Sequence, residues 1–231
     1  MSRAWARHWH TLCFGPKMKF YMTPGSCSTG IHVLLEELDL FFEVHLVDLM
    51  AGDNLKRDYL AINPRGSVPT LVDDEGQSHT DFQSIAVWLA ERHPRRGLLP
   101  KDEPARTRVL GLLDYAITAV HGEGFTRIFV AERYATDAAE RAFVQREGRA
   151  LVSRGFEQLE RMLTGSIWVE SEFSIADVGL FYVEFWADRI GLALPARLDR
   201  HYRAMLGRPA ARRVLGEEGY HSTLRKYPAT A

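Results

Sequence analysis

The chain has 231 residues, of which 46% are hydrophobic and 26% charged, an ordinary globular mixture that excludes intrinsic disorder and fibrous repeats. Its 29 Lys and Arg balance 30 Asp and Glu to a formal charge of −1, so the basic footprint of a nucleic-acid binder is missing. Two cysteines, Cys13 and Cys27, are too few for a disulfide framework and suit a reducing cytoplasm. No spacing of Cys and His suggests a metal site. No apolar run approaches the ~20 residues that span a bilayer; Val178 to Val183 ends at Glu184.

Residues 1–17 hold Trp5, Trp9 and no acidic residue, and lack the apolar stretch of a secretory signal. They read as a loose extension, from an upstream start codon or an organelle-targeting peptide. Met18 to Met22 then reads as a strand, turned by Pro24-Gly25. Ile31, Leu34, Leu35 and Leu38 recur at helical spacing, and Glu43 to Asp48 alternates as a second strand. Strand, helix, strand is a parallel crossover unit. Lys56 to Ile62 forms a short helix stopped by Asn63-Pro64. Val68 to Val72 and Gln77 to Thr80 are strands about the Asp73-Asp74-Glu75-Gly76 turn, and Asp81 caps a helix to His93.

Pro94, Gly97, Pro100 and Pro104 punctuate a polar link, and beyond Ala105 no strand pattern returns. Val109, Leu112, Leu113, Ala116, Ile117 and Val120 keep helical spacing, as do Val152, Phe156, Leu159 and Leu163. Ser174-Ile175-Ala176-Asp177 is a capping box. The helix it opens, to Ile190, is apolar nearly all round and so lies at the centre of the second domain. Seven arginines between Arg189 and Arg213 read as a solvated helical face. The domain reading is an extension at 1–17, an α/β domain at 18–94, a linker at 95–104, an all-helical domain at 105–219 and a tail at 220–231.

Four positions could carry chemistry. Cys27 stands where a strand end meets a helix start; free amides and the helix dipole there favour a thiolate, while the alternative is a small buried hydrophobe. Val68-Pro69 opens a strand, either as a plain trans edge or as a cis bond that leaves the Val68 backbone to pair with an extended ligand. Asp81, if more than an N-cap, could take an ammonium while the Phe82 amide takes a carboxylate. His121 lies beside Gly122 and Gly124, which weaken or bend its helix; it either makes a polar contact at a cleft or is structural.

In this order the features resemble a cytosolic glutathione transferase from Met18 to about Gly219. The resemblance rests on Asn63-Pro64-Arg65-Gly66-Ser67-Val68-Pro69-Thr70-Leu71, the capped helix from Asp81 to Glu91, and Phe173-Ser174-Ile175-Ala176-Asp177. Lys19 to Ser28, Val47-Asp48-Leu49-Met50, and His121 with Gly124-Phe125-Thr126 look like the bacterial beta class.

The resemblance implies a thioredoxin-like domain with a mixed four-stranded sheet, followed by an all-helical domain. It implies glutathione as co-substrate and a small hydrophobic electrophile as second substrate. It also implies a cytoplasmic homodimer and no metal. Cys27 would lie by the glutathione sulfur and could form a mixed disulfide with it. Val68, before a cis Pro69, would pair with the cysteinyl backbone. Asp81 would hold the γ-glutamyl ammonium, the Phe82 amide its carboxylate, and His121 would approach the thiol. Ser174 and Asp177 would serve folding alone.

The electrophile would sit between the domains, by the Met22–Thr23 loop and the helix from Ala105 to Glu132, with Phe125, Ile128 and Phe129 as walls. Three activities fit: conjugation, thiol-disulfide or peroxidase chemistry at Cys27, and a non-catalytic scaffold or carrier. The chain departs from the family pattern with Phe82 in place of a small residue, Gly52 in place of a Lys, Asp114 in place of an Asn, and Gly122-Glu123 with a one-residue insertion in place of a Lys. Lys56, Arg57 and Arg127 are nearby replacements for the lost positive charge.

Overall fold

A computed structural model describes residues 18–228; the expectations for residues 1–17 and Cys13 lie outside it. Strand β1 (Lys19–Met22) buries Phe20 and Met22 on one face. Helix α1 (Ser28–Glu37) crosses over, burying Ile31, Leu34 and Leu35. Strand β2 (Glu43–Leu46) returns parallel to β1, with Lys19 opposite Glu43 and Met22 opposite Leu46. Helix α2 (Arg57–Ile62) leads to β3 (Thr70–Val72), antiparallel to β1, and β3 pairs with β4 (Ser78–Thr80). The sheet order is β2-β1-β3-β4, the mixed four-stranded sheet expected. Helix α3 (Phe82–Arg92) packs behind it.

β1 begins one residue later than its pattern, and the other three strands are shorter than theirs, each for a local reason. β2 stops at Leu46 because the Asp48 carboxylate accepts the Met50 and Ala51 amides and folds a turn. β3 starts at Thr70 because Pro69, preceded by a cis peptide bond, has no N–H for the ladder. The Gln77 amide donates to the Asp73 carboxylate instead of extending β4. Asp81 is the N-cap of α3, as expected, and its carboxylate accepts the Ser84 amide at 2.9 Å.

The second half is helical. Helix α4 (Glu103–Tyr115) runs on through wide π-turns at Ala116–Phe125 into α5 (Thr126–Phe129). Helices α6 (Ala138–Met162), α7 (Ile175–Arg189), α8 (Ala196–Gly207) and α9 (Pro209–Glu217) follow. The residues read as a tail carry Tyr220 and a last helix, α10 (His221–Lys226). Helix α7 is buried on every side through Ala187, as its composition requires. Its capping box is present: the Ser174 hydroxyl accepts the Ala176 amide and Asp177 accepts the Ser174 amide at 2.6 Å.

One core runs through both halves. Phe82, the first residue of α3, is buried with its ring 5.0 Å from that of Tyr182 on α7. Gly30 on α1 makes room: a Cβ there would meet the Phe82 ring at 2.7 Å. The arginine-rich stretch is not an idle solvated face. Arg208 binds the Glu37 carboxylate through two nitrogens, and Arg213 binds Glu36, so both tie α8–α9 to α1. Among the described residues no helix is long and apolar enough to cross a membrane.

Candidate active site

The loop from β1 to α1 carries Cys27. The Ser26 hydroxyl donates to the Thr23 carbonyl at 2.7 Å and accepts the Ser28 amide at 3.1 Å, which fixes the loop on itself. Two groups from the far end of the chain then grip it. The Gly25 amide donates to the Glu218 carboxylate at 2.8 Å, and the Gly25 carbonyl accepts Trp186 Nε1–H at 2.7 Å. Gly25 has φ 74°, and an added Cβ would run into the Tyr220 hydroxyl, so only glycine fits this turn.

Cys27 donates its thiol hydrogen to the Val68 carbonyl at 3.4 Å, joining the two loops expected to meet. The expectation of a lowered pKa is not met. Burial pushes the Cys27 thiol up to about 12, outweighing the backbone hydrogen bonds at Cys27 and Ser28 that favour the thiolate. The helix dipole acts here, but desolvation is larger.

His121 sits in the π-turn segment. Its Nδ1 lies 3.2 Å from the Tyr182 hydroxyl, and its ring stands T-shaped to that of Trp186 with centroids 4.8 Å apart. Burial lowers its pKa to about 4, so the imidazole is neutral at pH 7. The glycines beside it do not break the helix. The segment widens instead into i→i+5 turns from Ala116 to Phe125, a local widening that recurs at functional sites.

These groups surround a cleft of about 660 Å³. One side is the polar β1–α1 and Ser67–Val68 backbone with Cys27; the other is apolar, with Phe125, Phe129, Trp186, Ile190 and Tyr220. Of the expected site residues, Cys27, Val68 and His121 line it, as do Thr23, Phe125 and Phe129. Asp81, Phe82 and Pro69 do not. Asp81 lies on the surface, 3.2 Å from Arg65 Nη1. Ile128 and Met22 are core residues rather than walls.

Lys56 pairs with Asp53 at 2.6 Å, Arg57 is exposed on α2, and Arg127 donates to the Glu123 carbonyl; none of the three lines the cleft. Gly52 has φ 73°, which suits glycine in its turn. Asp114 is an exposed residue of α4 away from the cleft. The lining cations are Arg133 and Arg189, which the sequence reading missed along with Trp186, Glu218 and Tyr220. Trp186 was masked by the all-apolar helix around it, and Tyr220 by its place in a supposed tail.

A thioredoxin-like sheet with a cysteine at its first helix, joined to a helical domain across a half-polar cleft, defines the class of protein. Residues 25–92 match the family described as glutathione S-transferase, N-terminal domain. The chain is 33% identical to the glutathione S-transferase GstA of Escherichia coli O157:H7 over 87% of its own length and 99% of that protein's. Its fold is similar to a glutathione transferase homolog from Sulfitobacter solved with bound glutathione, with TM-score 0.80 and 25% identity over 87% and 97% of the two chains. It is also similar to a bacterial beta class glutathione S-transferase from Sphingomonas chungbukensis, with TM-score 0.73 and 28% identity over 87% and 98%. The chain belongs to the glutathione S-transferase family of enzymes, on the bacterial beta-like side of it.

Proposed function

We propose that this enzyme binds glutathione along the polar side of the cleft and joins its sulfur to a hydrophobic electrophile held against the aromatic side. The observation that carries this reading is the cleft's division, with Cys27 and Val68 facing Phe125, Phe129 and Trp186 across one space. The Val68 backbone pairs with the cysteinyl unit; Asp81 and the Phe82 amide, which lie outside the cleft lining, would take the glutamyl ammonium and carboxylate beyond its edge, Asp81 exchanging its contact with Arg65. Arg133 and Arg189 add positive charge toward an anionic tripeptide.

The positive end of the α1 dipole favours a thiolate on the bound glutathione. Neutral His121 offers a hydrogen bond at that sulfur. The sulfur then bonds to the electrophilic carbon, the leaving group departs with the bonding pair, and the thiol proton passes to solvent. A cytoplasmic homodimer belongs to the same reading.

Conjugation is favoured over redox chemistry at Cys27 because burial holds that thiol protonated. The test is turnover of glutathione with an aryl halide, compared between the native chain and Cys27→Ala. Conjugation predicts that the variant keeps kcat within about tenfold, since Cys27 supplies no bond to the product. Loss of glutathione–disulfide exchange with Cys27→Ala, and no aryl halide turnover in either protein, would favour the redox reading. A protein that neither turns over nor is retained on immobilised glutathione would favour a scaffold.

A further inference from the structure

We propose that His32, Glu36 and Glu217 form a binding site for a zinc-like divalent cation, independent of the glutathione cleft. The three residues line a second cavity, of about 420 Å³, that shares no lining residue with the first. His32 is 4% exposed, and its ring is held near those of Phe20 and Phe42, with centroids 5.9 and 5.7 Å away. Its Nδ1 lies 2.9 Å from the carboxylate of Glu218, whose side chain is 2% exposed. A carboxylate accepts only, so Nδ1 carries a hydrogen, and Nε2 is the ring nitrogen left to face the cavity and a metal.

That nitrogen meets two more carboxylates. Nε2 is 3.6 Å from Glu217 Oε2, too long for a hydrogen bond. It is close to the ~3.4 Å that separates two ligands of a tetrahedral zinc whose bonds are ~2.1 Å. Glu36 lies four residues after His32 on α1, hence on the same helical face. The donor atoms of His32, Glu36 and Glu217 all lie within 4.8 Å of one another. An imidazole nitrogen with a carboxylate behind it, flanked by two carboxylate oxygens, suits zinc and similar cations. Magnesium and calcium prefer oxygen alone. The fourth position opens to the cavity for water. The ligands come from α1 and α9, far apart in sequence, so no Cys or His spacing reveals the set.

Arg213 is the competing cation. Its Nη1 is 2.7 Å from Glu36 Oε2, and its side chain is 60% exposed, so it can swing into water as the metal enters.

The test is titration of the full chain with Zn²⁺ by calorimetry and with Co²⁺ by visible absorption at pH 7.5. Both cysteines are replaced by Ser so that no thiolate competes. One cation per chain at the described site is expected. Glu217→Gln lowers affinity about tenfold or more, and Arg213→Gln raises it. His32→Gln abolishes binding; where that buried substitution fails to fold, the two exposed variants carry the test. No uptake of either metal overturns the proposal. So does uptake unchanged by both Glu217→Gln and Arg213→Gln, which would put the metal elsewhere.

Discussion

At pH 7 the Cys27 sulfur is a protonated thiol, hydrogen-bonded to the Val68 carbonyl and 9% exposed. Two effects oppose each other at this atom. The start of α1 stabilises negative charge by at most ~2 kcal/mol. Removing the thiolate from water costs more, and the pKa rises to about 12. A free cysteine near pKa 8.5 is about one-tenth thiolate at pH 7.5. Cys27 should therefore alkylate with iodoacetamide roughly a thousandfold or more slower than free cysteine, in a Cys13→Ser background. Its rate should still be climbing at pH 10. A plateau below pH 8 would mean that the helix dipole wins. The position of this cysteine could be read from Pro24-Gly25-Ser26-Cys27, but its ionisation could not. That depends on Val68, forty-one residues on, and on how closely the two loops meet.

The segment from α4 to α5 decides how the helical domain meets the cleft. His121 and Phe125 face the cleft from its π-turns, and Phe129 follows one turn later. Glycines let α6 press against the same segment. A Cβ on Gly124 would meet Val152 Cγ2 at 2.6 Å and the Val152 backbone nitrogen at 3.3 Å. A Cβ on Gly155 would meet Val120 Cγ2 at 2.7 Å. Gly124→Ala should then cost about 1–3 kcal/mol, as overpacking does, and lower Tm by several degrees in calorimetry. Gly122→Ala, whose nearest neighbour is the Ile117 carbonyl at 3.2 Å, should cost less. Equal Tm values for the two variants would deny the close approach. The two glycines were legible as a disturbance of the helix. That Gly124 admits α6 depends on Val152, which belongs to another element.

Across the whole molecule, periodicity was a good guide wherever one face of an element packs. Ile31, Leu34 and Leu35, or Val109, Leu112 and Leu113, are buried as their spacing requires. It failed where a polar group is buried with partners distant in sequence. His201 on α8 is fully buried, with Nδ1 2.8 Å from Glu184 Oε2 and Nε2 3.1 Å from Asp177 Oδ1. Asp177 also accepts the Val169 amide at 2.7 Å, so the helix cap, the loop before it and α8 share one network. Burial alone would lower the His201 pKa, but the charge of Glu184 and the hydrogen bonds to Asp177 and Glu184 raise it to about 10, while burial pushes the Glu184 carboxyl itself up to about 7, so the ion pair is complete only above neutral pH.

A histidine whose pKa rises on folding binds its proton more tightly in the native state. Its contribution is complete below the unfolded value of about 6.5 and disappears as pH climbs through 10. Stability should accordingly decline between pH 7 and 10 in denaturant titrations. His201→Gln should flatten that decline, because a neutral side chain has no proton to lose there. The same change leaves Asp177 and Glu184 buried without their cation, and should cost about 3–5 kcal/mol at pH 7. A variant as stable as the native chain at pH 7, with the same alkaline slope, would mean that the imidazole is neutral between the two carboxyl groups. The network would then be held by a shared proton rather than by charge.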